Sequence, residues 1–231
     1  MRQLIIAIDG PSGVGKGTIA RAIASELGYR HVDSGAMYRA VGWKAIQLGV
    51  PFDDEASVER IANASTIEIS ASLVTIDGVD VTRAIRTPDI DAAAAAVARL
   101  PRVRTILVDR QRALGADGGI VMEGRDIGTV VFPTADVKLY LDASAEERAR
   151  RRALDPAHSG PAAIADVATL LSERDRSDST RAASPLYAAA DAIVIDTTGA
   201  PIDEVVARVM GIVRGKLDGN EKSDQALGAG R

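Results

Sequence analysis

The sequence predicts an α/β chain: a three-layer sandwich around a five-stranded parallel sheet, with a small antiparallel-strand subdomain inserted and a short lid. Three observations carry that expectation. Short apolar runs at residues 4–8, 29–33, 120–122, 137–141 and 192–196 alternate with stretches of helical periodicity, and strands joined through helices are laid down parallel. The first run breaks into Gly10-Pro11-Ser12-Gly13-Val14-Gly15-Lys16-Gly17-Thr18, where Gly10, Gly15 and Lys16 have the spacing of a phosphate-cradling loop, or P-loop. Between residues 51 and 87 the texture changes to alternating strands flanking Asp77-Gly78, a strong two-residue hairpin signal. One domain is therefore expected over 1–231: core 1–50, 88–153 and 164–214, insert 51–87, lid 154–163 and a flexible tail 215–231.

Composition narrows the partners. With 231 residues the chain can bury one full core. A net charge of −4 and a pI near 5.3 argue against broad binding to nucleic acid or membrane surfaces. There is no cysteine, hence no disulfide frame, and no apolar run long enough to span a bilayer. The first residues read as a core strand rather than a signal peptide, so a cytoplasmic protein is expected, and a monomer.

Each element has a local reason. Ile19, Ala20, Ile23, Ala24 and Leu27 form the apolar stripe of the first helix, and Gly28 ends it. Asp33 or Ser34 can cap a helix opening at Gly35. Residues 53–64 read as a short helix. Thr87-Pro88 places a cap and a first-turn proline at the start of the next, whose run Ala92–Ala96 allows close packing. Pro101 interrupts it, so two helices meet near Leu100. In the second, Val103, Ile106, Leu107 and Leu114 face inward with Arg104 at the edge. Ser144 and Glu147 form a capping box. Ile164, Val167, Leu170 and Leu171 mark the buried side of a later helix that Ser184-Pro185 ends. Residues 202–213 form the terminal helix, with Ile202, Val205, Val206 and Val209 inward.

The candidate site residues follow from chemistry. Glycines at 10–17 let successive backbone amides surround a polyphosphate at a helix N-terminus, and Lys16 adds a mobile charge for its β/γ oxygens. Gly17 stands where the strict pattern has Ser or Thr, so the hydroxyl arrives at Thr18, a candidate magnesium contact through water. Asp33, Ser34, Gly35, Tyr38 and Arg39 open a helix where an anion would meet amides and a guanidinium; a plain capped helix is the competing reading. Arg86 is a phosphate ligand or a solvated arginine. Arg125 and Asp126 stand at a strand's carboxyl end, where open parallel sheets bind ligands, as ligand contacts or as a structural ion pair. Arg148, Arg150, Arg151 and Arg152 lie on a helix running into a Pro/Gly segment, as a lid over phosphates requires; a solvated basic face reads equally well. Arg174, Asp178 and Arg181 form one helical stripe that could cross-link itself or hold phosphate and ribose. His31 and His158 lack metal-ligand spacing and are assigned no chemistry.

Taken together, the motif at 10–18, Asp33-Ser-Gly-Ala-Met-Tyr-Arg39, Pro101-Arg-Val-Arg104, Glu123-Gly-Arg-Asp-Ile-Gly-Thr-Val-Val-Phe-Pro133 and Arg174-Asp-x-x-Asp-Ser-x-Arg181-x-x-Ser-Pro-Leu186 resemble bacterial cytidylate kinase within the nucleoside monophosphate kinases. The likeness runs in order from residue 3 to about 213, and it places the insert 51–87 on the monophosphate-binding region. It implies transfer of the γ-phosphoryl group of ATP to CMP or dCMP with Mg²⁺, with Lys16, Arg125, Arg148 and Arg151 serving catalysis. Arg104 and Asp126 would read the cytosine edge, Asp178 with Arg174 would hold the sugar, and Arg39, Arg125 and Arg181 the acceptor phosphate. Ala95 departs from the family, which usually has serine there, so a narrower margin of CMP over UMP is expected. Two other functions remain open at this point: a kinase for another nucleoside monophosphate or small metabolite, and a GTP-binding switch. No Asn-Lys-x-Asp guanine reader occurs.

Overall fold

The computed structural model describes residues 3–154, 164–181 and 183–228. The lid expected at 154–163, with His158, lies almost wholly outside them. In chain order the elements are β1 (Ile5–Asp9), α1 (Lys16–Leu27), β2 (Arg30–Asp33), α2 (Ser34–Gln47) and α3 (Glu55–Ala64). Then come β3 (Ile67–Ile69), β4 (Val74–Ile76), β5 (Val79–Asp80), α4 (Pro88–Val97), α5 (Pro101–Leu114) and β6 (Ile120–Gly124). A π turn at Ile127–Val131 leads to β7 (Val137–Asp142), α6 (Ala145–Ala153), α7 (Ile164–Thr180), β8 (Ile193–Asp196) and α8 (Ile202–Gly228).

Five strands form one sheet in the order β2-β6-β1-β7-β8, every pairing parallel. Alternation along the central strands feeds two cores, one on each face. Ala7, Ile120 and Met122 point to one side, against α2, α4, α5 and the insert. Ile6, Ile8 and Val121 point to the other, against α1 and α8. The insert is a separate antiparallel sheet, β3-β4-β5. Its hairpin turns at Asp77 (φ 51°) and Gly78 (φ 78°), both left-handed as a type I′ turn requires. Thr87 caps α4 by accepting from the Ile90 amide at 3.4 Å. The alanine run does bring α4 close to α2: a Cβ on Gly42 would lie 3.0 Å from that of Ala93.

Several local expectations are revised. Ser144 Oγ caps α6 through the Glu147 amide at 3.2 Å, but the Glu147 carboxylate does not complete the box. It takes Arg150 and Arg151 instead, each at 2.8 Å, because charge-assisted bonds outcompete a neutral amide. Leu170 is 62% exposed and Ile202 56%, so neither is an inward position. Arg104, expected at an edge, is 4% exposed. α7 ends at Thr180, before Ser184-Pro185, and α8 continues past Gly215 to Gly228. Among the described residues, no helix is long and apolar enough to cross a membrane.

One glycine sets the turn out of β1. Gly10 has φ 146°, and a Cβ there would run into the Leu141 carbonyl of β7. Gly10→Ala is expected to lose about 2–4 kcal/mol of stability by strain and forced displacement, read by denaturant unfolding. A loss below about 0.5 kcal/mol would show that this approach is not a constraint.

Candidate functional site

The carboxyl ends of β1, β2 and β6 open into one cleft, as expected for a sheet of this topology. On its first wall the loop from Gly10 to Gly15 carries three left-handed glycines, Gly10, Gly13 and Gly15. No side chain caps α1, so its first amides remain directed at the cleft. Lys16 is buried, and its ammonium donates to the carbonyls of Gly10 (2.8 Å) and Pro11 (2.6 Å). Burial, with the Arg125 charge second, pushes it from 10.5 down to about 7. Gly17 has a steric reason: a Cβ would meet Glu123 Oε1 at 3.0 Å and Arg21 Nη1 at 3.3 Å. Thr18, one residue on, is exposed and lines both this cleft and a second cavity beside it. Ser12 is buried, and Val14 belongs to the core beneath the loop.

The loop after β6 is held by a residue the motifs did not single out. Asp9 accepts from the amides of Ile127 (2.8 Å) and Gly128 (2.7 Å), seating the π turn against β1. Burial pushes its carboxyl up to about 6 against those two bonds. Ser34 Oγ donates to the Glu123 carbonyl at 2.7 Å, joining the ends of β2 and β6. His31 lies inside with Nε2 3.1 Å from Glu123 Oε1.

The opposite wall is a lattice of guanidiniums and carboxylates. Asp33 caps α2 through Ala36 N (3.1 Å) and takes Arg39 Nη2 at 2.5 Å. Burial alone would raise its carboxyl; Arg39 and that amide hold it low. A Cβ on Gly35 would stand 3.1 Å from Asp33 Oδ1 and crowd that pair. Arg125 Nε donates to Asp178 Oδ2 at 2.8 Å, and Asp178 keeps the guanidinium high despite its burial. Arg104 Nη2 donates to Asp126 Oδ2, both side chains buried, with Arg181 Nη2 3.9 Å from the other Asp126 oxygen. The Arg104 guanidinium lies 5.5 Å over the Tyr38 ring, whose hydroxyl burial pushes up to about 12. Burial, then Arg125, lowers Arg174, and burial, then Arg104, lowers Arg181.

Between the two walls lies a cavity of about 290 Å³ that reaches from Lys16 to Arg104 and Asp126. It brings together Lys16, Thr18, Asp33, Ser34, Gly35, Tyr38, Arg39, Arg104, Arg125, Asp126, Arg174, Asp178 and Arg181. Arg86 and Arg152, each read from sequence as either a phosphate contact or a solvated arginine, line it too, as do Glu123 and Asp91, which were not singled out as contacts. Arg148 and Arg151 lie elsewhere. Arg148 donates to the Ser12 carbonyl (3.3 Å) and pairs with Asp175, behind the loop. Arg151 donates to the carbonyls of Val14 (3.3 Å) and Thr197 (2.6 Å), on a second cavity of about 610 Å³. Ile202 lines that second cavity with Ala200, Pro201 and Val205, which explains why an apolar residue stands exposed there.

The cytidylate kinase family model matches residues 6–215. The chain is 46% identical over 221 residues to the cytidylate kinase of Desulfitobacterium hafniense (strain Y51), covering 94% of this chain and 95% of that one. It is 48% identical over 213 residues to the cytidylate kinase of Pelotomaculum thermopropionicum, covering 89% and 93%. Among solved structures, an uncharacterized protein from Eubacterium ventriosum superposes with a TM-score of 0.54 at 9% identity, over 92% of this chain and 99% of that one. At that identity the likeness concerns the fold alone. The family match and the identities over nearly the whole length agree: the chain belongs to the cytidylate kinase family.

Proposed function

We propose that the chain transfers the γ-phosphoryl group of ATP to CMP and dCMP, giving CDP and dCDP. The observation that carries this reading is the buried Arg104–Asp126 pair at the far end of the cleft from Lys16. Cytosine presents an exocyclic amine to a carboxylate and ring acceptors to a guanidinium, so the pair is complementary to its edge. Uracil would set a carbonyl against Asp126. The acceptor phosphate lies among Arg39, Arg125 and Arg181, and the sugar against Asp178 and Arg174. The donor polyphosphate lies along residues 10–18, with its base toward the second cavity.

Chemistry of this kind asks little covalent help of the protein; it needs alignment and cations where charge develops. Lys16 moves from the Gly10 and Pro11 carbonyls to the β/γ oxygens of the donor. Arg125, bridging from the acceptor wall, meets the charge on the transferred group. Arg148 and Arg151 act through the loop, by fixing the carbonyls of Ser12 and Val14. Among the described residues no three acidic or imidazole groups gather as a metal cage. That fits Mg²⁺, which takes one or two protein oxygens and completes its shell with phosphates and water. The Thr18 hydroxyl and the Glu123 carboxylate are the hard donors facing the loop and would hold it, so that it neutralises phosphate charge. A chain without cysteine suits the reducing cytoplasm.

The test is ADP release measured with CMP, dCMP, UMP, AMP and GMP as acceptors. CMP and dCMP are expected to lead, with UMP lower in kcat/KM by roughly ten- to a hundredfold. Ala95, on the cleft wall, supplies no hydroxyl to the base, which places the margin at the low end of that range. Equal kcat/KM for CMP and UMP would refute the roles of Arg104 and Asp126.

A further inference from the structure

Asp91 has no part in that chemistry, yet it stands in the middle of it. It projects from the first turn of α4 into the cleft wall. Its Oδ2 accepts from Arg152 Nη2 of α6 and lies 3.4 Å from Arg174 Nη1 of α7. Its Oδ1 lies 3.9 Å from Arg39 Nη1 of α2. One carboxylate thus gathers guanidiniums from three helices on three sides of the cavity. The neighbouring acids are engaged elsewhere: Asp33 takes the other terminal nitrogen of Arg39, and Asp178 takes Arg125.

The arrangement matters because the same forks recognise phosphate. A guanidinium offers parallel N–H bonds to carboxylate and phosphoryl oxygens alike. Arg39, Arg125, Arg152, Arg174 and Arg181 all line this cavity, and like charges so close repel strongly where water is scarce. Burial first and the Arg125 charge second lower Arg174, while Asp91 and Asp178 act against them.

We infer that Asp91 is a stand-in anion: it holds Arg39, Arg152 and Arg174 in the cleft until the acceptor's phosphate takes over their N–H groups, and so sets how much charge an acceptor must bring. A dianionic phosphate monoester outcompetes one carboxylate. A nucleoside, which brings no charge, leaves the three arginines on Asp91. The inference rests on the proposed function for the identity of the acceptor, and on the observed contacts for everything else. Arg152 also gains a role: it is the arginine of α6 that lines the main cleft, and Asp91 ties it to acceptor binding.

Removing the charge while keeping the shape should therefore tighten phosphate binding. For Asp91→Asn, calorimetric titration is expected to give CMP and orthophosphate roughly tenfold tighter than wild type, with cytidine unchanged. In turnover, KM for CMP should fall without a rise in kcat. A structural support that had merely been weakened would shift the other way, loosening CMP and orthophosphate. Looser or unchanged binding of those two, or equal tightening of cytidine, would overturn the inference. Asp91→Ser is carried in parallel, so that one variant decides if the other fails to fold. Should wild type bind no CMP at all, the functional reading falls, while the orthophosphate comparison still decides the role of Asp91.

Discussion

Lys16→Met is expected to lower kcat/KM for phosphoryl transfer by roughly 10³-fold, since it removes the cation that meets the β/γ oxygens. The same change is expected to raise the melting temperature of the protein measured without nucleotide. The reason is the buried ammonium. Its pKa falls from 10.5 in the unfolded chain to about 7 in the fold, with burial the leading cause and Arg125 next. Between those values the unfolded chain binds more protons than the folded one, so this group's contribution to stability rises with pH across the window. At pH 7 and below, the fold carries nearly the whole cost of a buried charge; methionine carries none. The gap in melting temperature between variant and wild type should accordingly narrow from pH 7 to pH 9. Two bonds, to the carbonyls of Gly10 and Pro11, are lost as well and temper the gain. Thermal unfolding of both proteins at the two pH values, beside steady-state kinetics, checks the whole account. A gap that widens with pH, or a kinetic loss below about tenfold, would contradict it.

Asp126→Ala should erase the preference for cytosine. kcat/KM for CMP is expected to drop by roughly a hundredfold or more while UMP loses little, bringing the two acceptors close together. The cost in stability should also be large, about 3–5 kcal/mol, because Arg104 is left buried without its carboxylate and Arg181 loses a nearby counter-charge. Asp126→Asn separates the two effects. Its amide keeps the volume and can donate to the uracil carbonyl, so UMP should gain relative to CMP. The peptide carbonyl of residue 126, which accepts from Val130 and Val131 in the π turn, is untouched by either change. Kinetics with both acceptors and denaturant unfolding decide. Unaltered discrimination in Asp126→Ala would remove this residue from base recognition.

What could be read from the sequence was local in kind. The loop after β1 follows from a strand, a set of glycines and an amphipathic helix that adjoin one another. The hairpin follows from one dipeptide able to take two left-handed residues. The alanine run announced close packing because nothing in it is large. What escaped depends on partners distant in the chain. Arg104 read as an edge residue because an arginine on an apolar helix face is usually solvated; its burial comes from Asp126 and from the ring of Tyr38. The three consecutive arginines of α6 carry the same chemistry in sequence, and only the packing sends Arg152 into the main cleft while Arg151 turns to Thr197. Leu170 and Ile202 fitted a helical stripe but lie beyond the reach of the core, Ile202 on the rim of a cavity. Asp9 gave no sign of its task, because the amides it holds belong to residues 127 and 128.

The strand at the centre of the sheet is also the first to be synthesised. Ile5 pairs with Ile120 on one side, and Ile6 with Val137 on the other. At ribosomal speeds of about 5–20 residues per second, the opening strand therefore waits roughly 6–25 s for its first neighbour to be made. Until then the strand has no strand neighbour, and only α1, made directly after it, is there to cover one of its two faces. Contacts of such long sequence separation slow the final assembly further, since the loop between them must close before either strand gains from the pairing.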